Sequence, residues 1–149
     1  MKRPFSAFLL ILFAALLCGM LGCDSRHTVG TIKIHALPDK VEYRIGSASE
    51  LDLSGMEIGL YTHDGMLLES KPVEAWLCRE YDPEYLAGLK TRIENLTHAE
   101  VSELTDTLFF DTSDVNFDRR GKYTVFVYLG LNAAAKKPDA KFTIRIVDS

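Results

Sequence analysis

The chain has 149 residues, 26% of them charged and 47% hydrophobic, with 17 basic side chains against 21 acidic ones. A net charge of −4 argues against nucleic acid or an anionic bilayer as an electrostatic partner, since both need a basic face. The length suits one folded domain of ordinary size with its own core.

Met1-Lys2-Arg3 gives a positive start, and Phe5 to Leu17 is an uncharged apolar run. Its length is that of a signal-peptide core and falls short of the roughly 20 apolar residues of a membrane span. Extending the run to Gly22 leaves an uncleaved single-pass anchor as the competing reading. Met20-Leu21-Gly22-Cys23 resembles the bacterial lipobox, in which apolar residues and a small residue precede a cysteine. The resemblance implies cleavage between Gly22 and Cys23 and a diacylglyceryl thioether on Cys23, since a thiolate is the nucleophile such a transfer needs. It divides the chain into a signal peptide at 1–22, a lipidated cysteine and polar tether at 23–29, and a domain at 30–149. Two acyl chains of the palmitate type hold a protein on a membrane where one does not, so the expected location is the extracytoplasmic side of a cell membrane. Asp24 after the cysteine resembles the inner-membrane retention signal of enterobacteria-like Gram-negative cells. Without residues 1–22, which carry Lys2 and Arg3, 15 basic and 21 acidic residues remain, a net charge of about −6.

From Gly30 apolar residues recur with period two: Ile32, Ile34 and Ala36, then Val41, Tyr43 and Ile45. Each set predicts a half-buried strand. Leu51 and Leu53, then Met56 and Ile58, predict a strand kinked at Ser54-Gly55. Asp64-Gly65 between two apolar arms predicts a hairpin, because the turn needs positive φ. His63 falls at its tip and is expected to be solvated, as is His27 in the tether. Val73, Ala75 and Leu77 predict a further short strand.

Of the three cysteines, Cys18 lies in the signal and Cys23 is the lipid site, so Cys78 has no internal disulfide partner. With Trp76 and Leu77 beside it, Cys78 reads as a buried small hydrophobe and not as a reactive thiol. Asp82-Pro83-Glu84 then marks a helix start, with Leu86, Leu89 and Ile93 on one face. Thr97 with Glu100 forms a capping box for a second helix, which also accounts for the threonine of the Asn95-Leu96-Thr97 sequon. A two-helix insertion is thus expected at about residues 80–105. Strands resume at Leu108-Phe109-Phe110, at Val115 and Phe117, at Tyr123 to Leu129, and at Phe142 to Ile146. Phe126 and Tyr128 should point away from the core set, where either the helices or a partner would cover them.

Tyr43-Arg44-Ile45-Gly46, Leu51-Asp52-Leu53-Ser54-Gly55-Met56, Tyr61-Thr62-His63-Asp64-Gly65 and Gly121-Lys122-Tyr123-Thr124-Val125, in that order, resemble the signature of the bacterial Ig-like domains. The resemblance spans about residues 37–147 and is interrupted by the helical insertion. It implies an all-β fold, an antiparallel Ig-like sandwich of about seven strands, with the Tyr123 hydroxyl bonding backbone at a sandwich corner. It also implies a spacer, adhesion or binding module, with no catalytic residues to assign.

Asp111, Asp114, Asn116 and Asp118 are the weak metal candidates. Their oxygens suit Ca²⁺, but their spacing lacks the glycine and distal glutamate of an EF-hand. No nucleophile elbow, phosphate-cradling glycine loop or paired-histidine motif is present. The sequence therefore reads as a lipid-anchored envelope protein that binds a protein or glycan, or acts as a spacer, and is not an enzyme. No cofactor is expected beyond the covalent lipid. Its contact surfaces are expected at the helical insertion and the hairpin tip His63-Asp64-Gly65. The alternative is a small calcium-dependent or enzymatic factor built on the acidic cluster.

Overall fold

The computed structural model describes residues 29–133 and 137–148, so the signal segment, Gly22 and Cys23 lie outside the described residues. Strands β1 (Val29–Ala36), β2 (Glu42–Arg44), β3 (Glu57–Thr62), β4 (Leu67–Pro72) and β5 (Leu77–Glu80) come first. Helices α1 (Pro83–Arg92) and α2 (His98–Thr105) follow, then β6 (Thr107–Asp111), β7 (Gly121–Leu129), one turn of helix α3 (Gly130–Ala133) and β8 (Ala140–Val147). They build a three-stranded sheet ordered β1-β3-β4 and a five-stranded sheet ordered β2-β8-β7-β6-β5.

Period-two alternation explains how the sheets meet. Ile32, Ile58 and Leu60 of the smaller sheet share one buried cluster with Val125, Val127, Leu129, Phe142, Ile144 and Ile146 of the larger. Burying each such side chain stabilises by about 1.5–3 kcal/mol. Trp76 belongs to the same cluster, with Lys71 Nζ 4.3 Å from its ring centre. Its indole Nε1 has no hydrogen-bond partner among the described residues.

Two ladders are parallel, β2 with β8 and β5 with β6, which corrects the expectation of an antiparallel arrangement. A parallel neighbour needs a crossover of a dozen or more residues, and α1 with α2 is that crossover between β5 and β6. The helix starts follow from their caps. Asp82 Oδ1 accepts from the N–H groups of Glu84 at 2.9 Å and Tyr85 at 3.3 Å. Glu100 Oε2 accepts from the Thr97 N–H and hydroxyl, both at 2.8 Å, and these bonds hold its carboxyl below the ordinary carboxylate range.

The crossover covers the other face of the larger sheet. Leu86, Leu89 and Leu104 pack on Phe109, Tyr128 and Ala133, with Tyr81, Leu96 and Phe126 at the margin. Tyr81 stacks on Tyr128 with ring centres 4.7 Å apart. Phe126 and Tyr128 do turn away from the first core, and the helices cover them.

Other expectations change in detail. Residues 51–53 form no strand, because their polar groups are spent locally: the Asp52 N–H donates to Tyr43 Oη at 2.9 Å, and Asp52 Oδ1 accepts the N–H and hydroxyl of Ser54. Val73–Ala75 is a single 3₁₀ turn after Pro72, and the ladder begins only at Leu77. Val115 and Phe117 pack on the first core from a loop. Ile93 is exposed because α1 ends at Arg92 and tightens into a 3₁₀ turn. The hairpin forms as expected, with Gly65 at φ 85, and Tyr123 Oη donates to the Arg119 carbonyl at 2.8 Å.

Leu89 is 2% exposed and Ile93 42% exposed. Leu89→Ala should cost about 2–5 kcal/mol in urea unfolding, whereas Ile93→Ala should stay within about 0.5 kcal/mol. Equal losses at the two positions would contradict the packing of α1.

Candidate functional site

Strand β5 is the edge of the five-stranded sheet. The N–H groups of Leu77 and Tyr81 donate to the Asp106 and Phe110 carbonyls, both at 3.0 Å. Parallel alternation then turns the backbone groups of Cys78 and Glu80 toward the open side. Beside that edge runs a groove of about 440 Å³. Leu51, Leu53, Phe110 and Phe117 supply its apolar surface, and Ser49, Glu50, Arg79, Glu80 and Thr112 its polar surface. Arg79 is held in place by Glu103 of α2 at 2.7 Å. An open strand edge beside an apolar cleft suits an extended chain, with backbone hydrogen bonds on one side and side-chain pockets on the other.

Cys78 also lines this groove and is exposed, not buried as its neighbours suggest, because all four residues of edge strand β5 are exposed. Its Sγ still lies 3.7 Å from the Val73 carbonyl and 3.9 Å from that of Trp76. Partial burial, and then the charge of Glu74, push the thiol up. The effect is to suppress the thiolate and with it nucleophilic reactivity.

The acidic cluster is occupied in turns. Asp111 Oδ1 accepts from the Ser113 N–H at 3.0 Å and hydroxyl at 2.6 Å, and Asn116 Oδ1 accepts from the Asp118 N–H at 2.9 Å. Such side-chain turns account for these residue types in a loop without an ion. Asp114 and Asp118 are exposed. Among the described residues no group of three or more His, Cys, Asp or Glu side chains is arranged to hold a metal. Asp111, Asp114 and Asp118 therefore do not come together as ligands.

A constellation scattered in sequence does converge on the outer face of the smaller sheet. Ser70 Oγ lies 2.6 Å from Glu57 Oε1 and 2.8 Å from His35 Nδ1, and His35 Nε2 lies 2.7 Å from Tyr61 Oη. A carboxylate only accepts, so Ser70 donates to Glu57 and accepts from Nδ1–H of His35. The set ties β1, β3 and β4 together. Gly59 makes room for it, since a Cβ there would run into the His35 ring. The sequence marks these residues only as outward positions; their convergence depends on strand register, as the groove depends on the β5–β6 pairing. His63 lies exposed in the hairpin turn.

Compared with protein-family models, with curated proteins and with solved structures, the chain gives no match.

Alkylation of Cys78 should be slower than that of a free cysteine peptide near neutral pH, with its rate–pH midpoint displaced to higher pH. A lower midpoint would overturn the assignment of an unactivated thiol. Melting curves with Ca²⁺ and with EDTA should coincide, because a native-state ion site would raise the Tm.

Proposed function

We propose that the chain is a lipid-anchored envelope protein whose domain, of the bacterial Ig-like kind, works by binding and not by catalysis. Met20-Leu21-Gly22-Cys23 supports the anchor. Support for the Ig-like assignment comes from two sheets sharing one core, the Tyr123–Arg119 corner bond and the positive φ of Gly55 and Gly65. The parallel crossover through α1 and α2 is this chain's own addition to that plan.

The observation that carries the binding role is the edge position of β5 beside an apolar groove. The chain enters the domain at the Leu129 end of β7: Asn132 Nδ2 donates to the Gly30 carbonyl at 3.1 Å, and Thr31 Oγ1 to Asp139 Oδ1 at 3.1 Å. Asp139 Oδ2 in turn accepts from the Leu129 N–H at 2.9 Å. The groove extends toward the other end. Its Phe117 wall accepts from the Gly46 N–H and packs on Tyr43, which pairs with Ile146 opposite Gly121. Through Leu108 the Cys78 end of the groove stays level with Leu129, so the cleft runs along β5 from the tether end toward Phe117. The ligand class is a protein segment or glycan of the envelope, with an extended peptide the better fit to an open strand edge.

In cells, full-length protein should fractionate with membranes and incorporate labelled palmitate, and Cys23→Ala should do neither. Crosslinking of the anchored form should recover a recurrent envelope partner, and Thr112→Trp, which fills the groove, should lower that recovery at least tenfold at unchanged Tm. Recovery unaffected by Thr112→Trp would remove the groove from the reading. Membrane retention of Cys23→Ala without lipid would favour the uncleaved span.

A further inference from the structure

The hairpin between β3 and β4 carries a run of apolar side chains that the core does not use. Met66, Leu67 and Leu68 are 46%, 48% and 39% exposed. Three consecutive exposed apolar residues call for a partner surface. The backbone at the tip is closely held: the Thr62 N–H donates to the Met66 carbonyl at 2.9 Å, the Met66 N–H to Thr62 Oγ1 at 3.0 Å, and the Gly65 N–H to the Thr62 carbonyl at 3.0 Å. Thr62 Oγ1 also bonds the Asp64 carboxylate. The side chains are therefore presented on a built turn.

This tip stands where the tether arrives. Val29 pairs with Thr62, and Gly30 lies so close to the His63 backbone that a Cβ on it would clash. From Cys23 to Val29 the chain spans at most about 20 Å when fully extended. A lipid on Cys23 thus confines the tip to the neighbourhood of the bilayer surface. Beside it, exposed Lys137 lines a cavity with Gly30, Asn132 and Asp139, placing a cation at the same end.

We infer that the Met66-Leu67-Leu68 tip inserts into the interfacial layer of the membrane that holds the lipid anchor. The inference rests on the anchored reading above. The occupant is lipid, because the length of chain outside the described residues brings lipid, and nothing else of fixed identity, to this place. The contact orients the domain and adds little to retention, which two acyl chains already secure. It fixes the β7 axis against the membrane.

The test uses full-length protein purified from membranes in a Cys78→Ser background, with Leu67→Cys or Ser49→Cys carrying an environment-sensitive fluorophore. The protein is reconstituted in phosphatidylcholine–phosphatidylglycerol vesicles. Mass spectrometry of the mature chain first establishes whether the diacylglyceryl group is present. With it present, the label at position 67 should shift to shorter wavelength and be quenched severalfold by lipids spin-labelled near the headgroup. The label at position 49 should do neither. Water-like emission at both positions in lipidated, vesicle-bound protein would overturn the inference and leave the anchor intact. A mature chain without the lipid would overturn both. Concentration-dependent dimerisation of Cys23→Ala in lipid-free buffer, abolished by Leu67→Glu, would assign the tip to a second copy of this chain and overturn the membrane contact.

Discussion

Strand β7 is buried on both faces, and the architecture follows from that demand. Val125, Val127 and Leu129 point into the core shared by the two sheets, while Phe126 and Tyr128 point the other way. An outward Phe and Tyr in a central strand would leave a large apolar area in water. The chain covers it with α1 and α2, and the same segment provides the crossover that lets β5 lie parallel to β6. One insertion thus meets two requirements, a connection and a lid. The arrangement becomes three layers: small sheet, large sheet and helix pair.

The edge strand β5 is the by-product of that solution. The chain leaves β5 for the crossover and returns as β6 between β5 and β7, so β5 stays at the margin of the sheet. Arg79 and Glu103 then bridge the edge strand to α2, the helix that leads into β6. Shape and connectivity meet at this margin, where the proposed recognition surface lies. The Asp111 carboxylate is engaged in a local turn, and the His35 imidazole with its strand neighbours.

What could be read from the sequence was local. Asp82-Pro83 and the Thr97–Glu100 box act within four residues, and Asp64-Gly65 specifies its turn through backbone sterics, so all three were legible. The alternation of Tyr123 to Leu129 showed both faces of β7. Parallel pairing was not legible, because Tyr43 meets Ile146 across nearly the whole domain and no short-range pattern encodes it. Residues 51–53 read as a strand because apolar alternation is blind to an Asp52 whose backbone and side chain are both engaged elsewhere. Cys78 read as buried because its apolar neighbours do not reveal that β5 is an edge. The groove joins residues 49–53, 78–80 and 110–117, and so exists only once the register is known.

Trp76, the protein's single tryptophan, sits in the layer between the sheets, while Tyr81 and Tyr128 stack in the layer between sheet and helices. Tyr43 is buried in the same layer as Trp76, so tyrosine dichroism reports on both layers while tryptophan-selective emission watches the layer between the sheets alone; a difference between the two signals during unfolding measures how tightly β7 couples the layers. The indole N–H, which has no acceptor among the described residues, adds a second readout: its emission will redden when water reaches the space between the sheets.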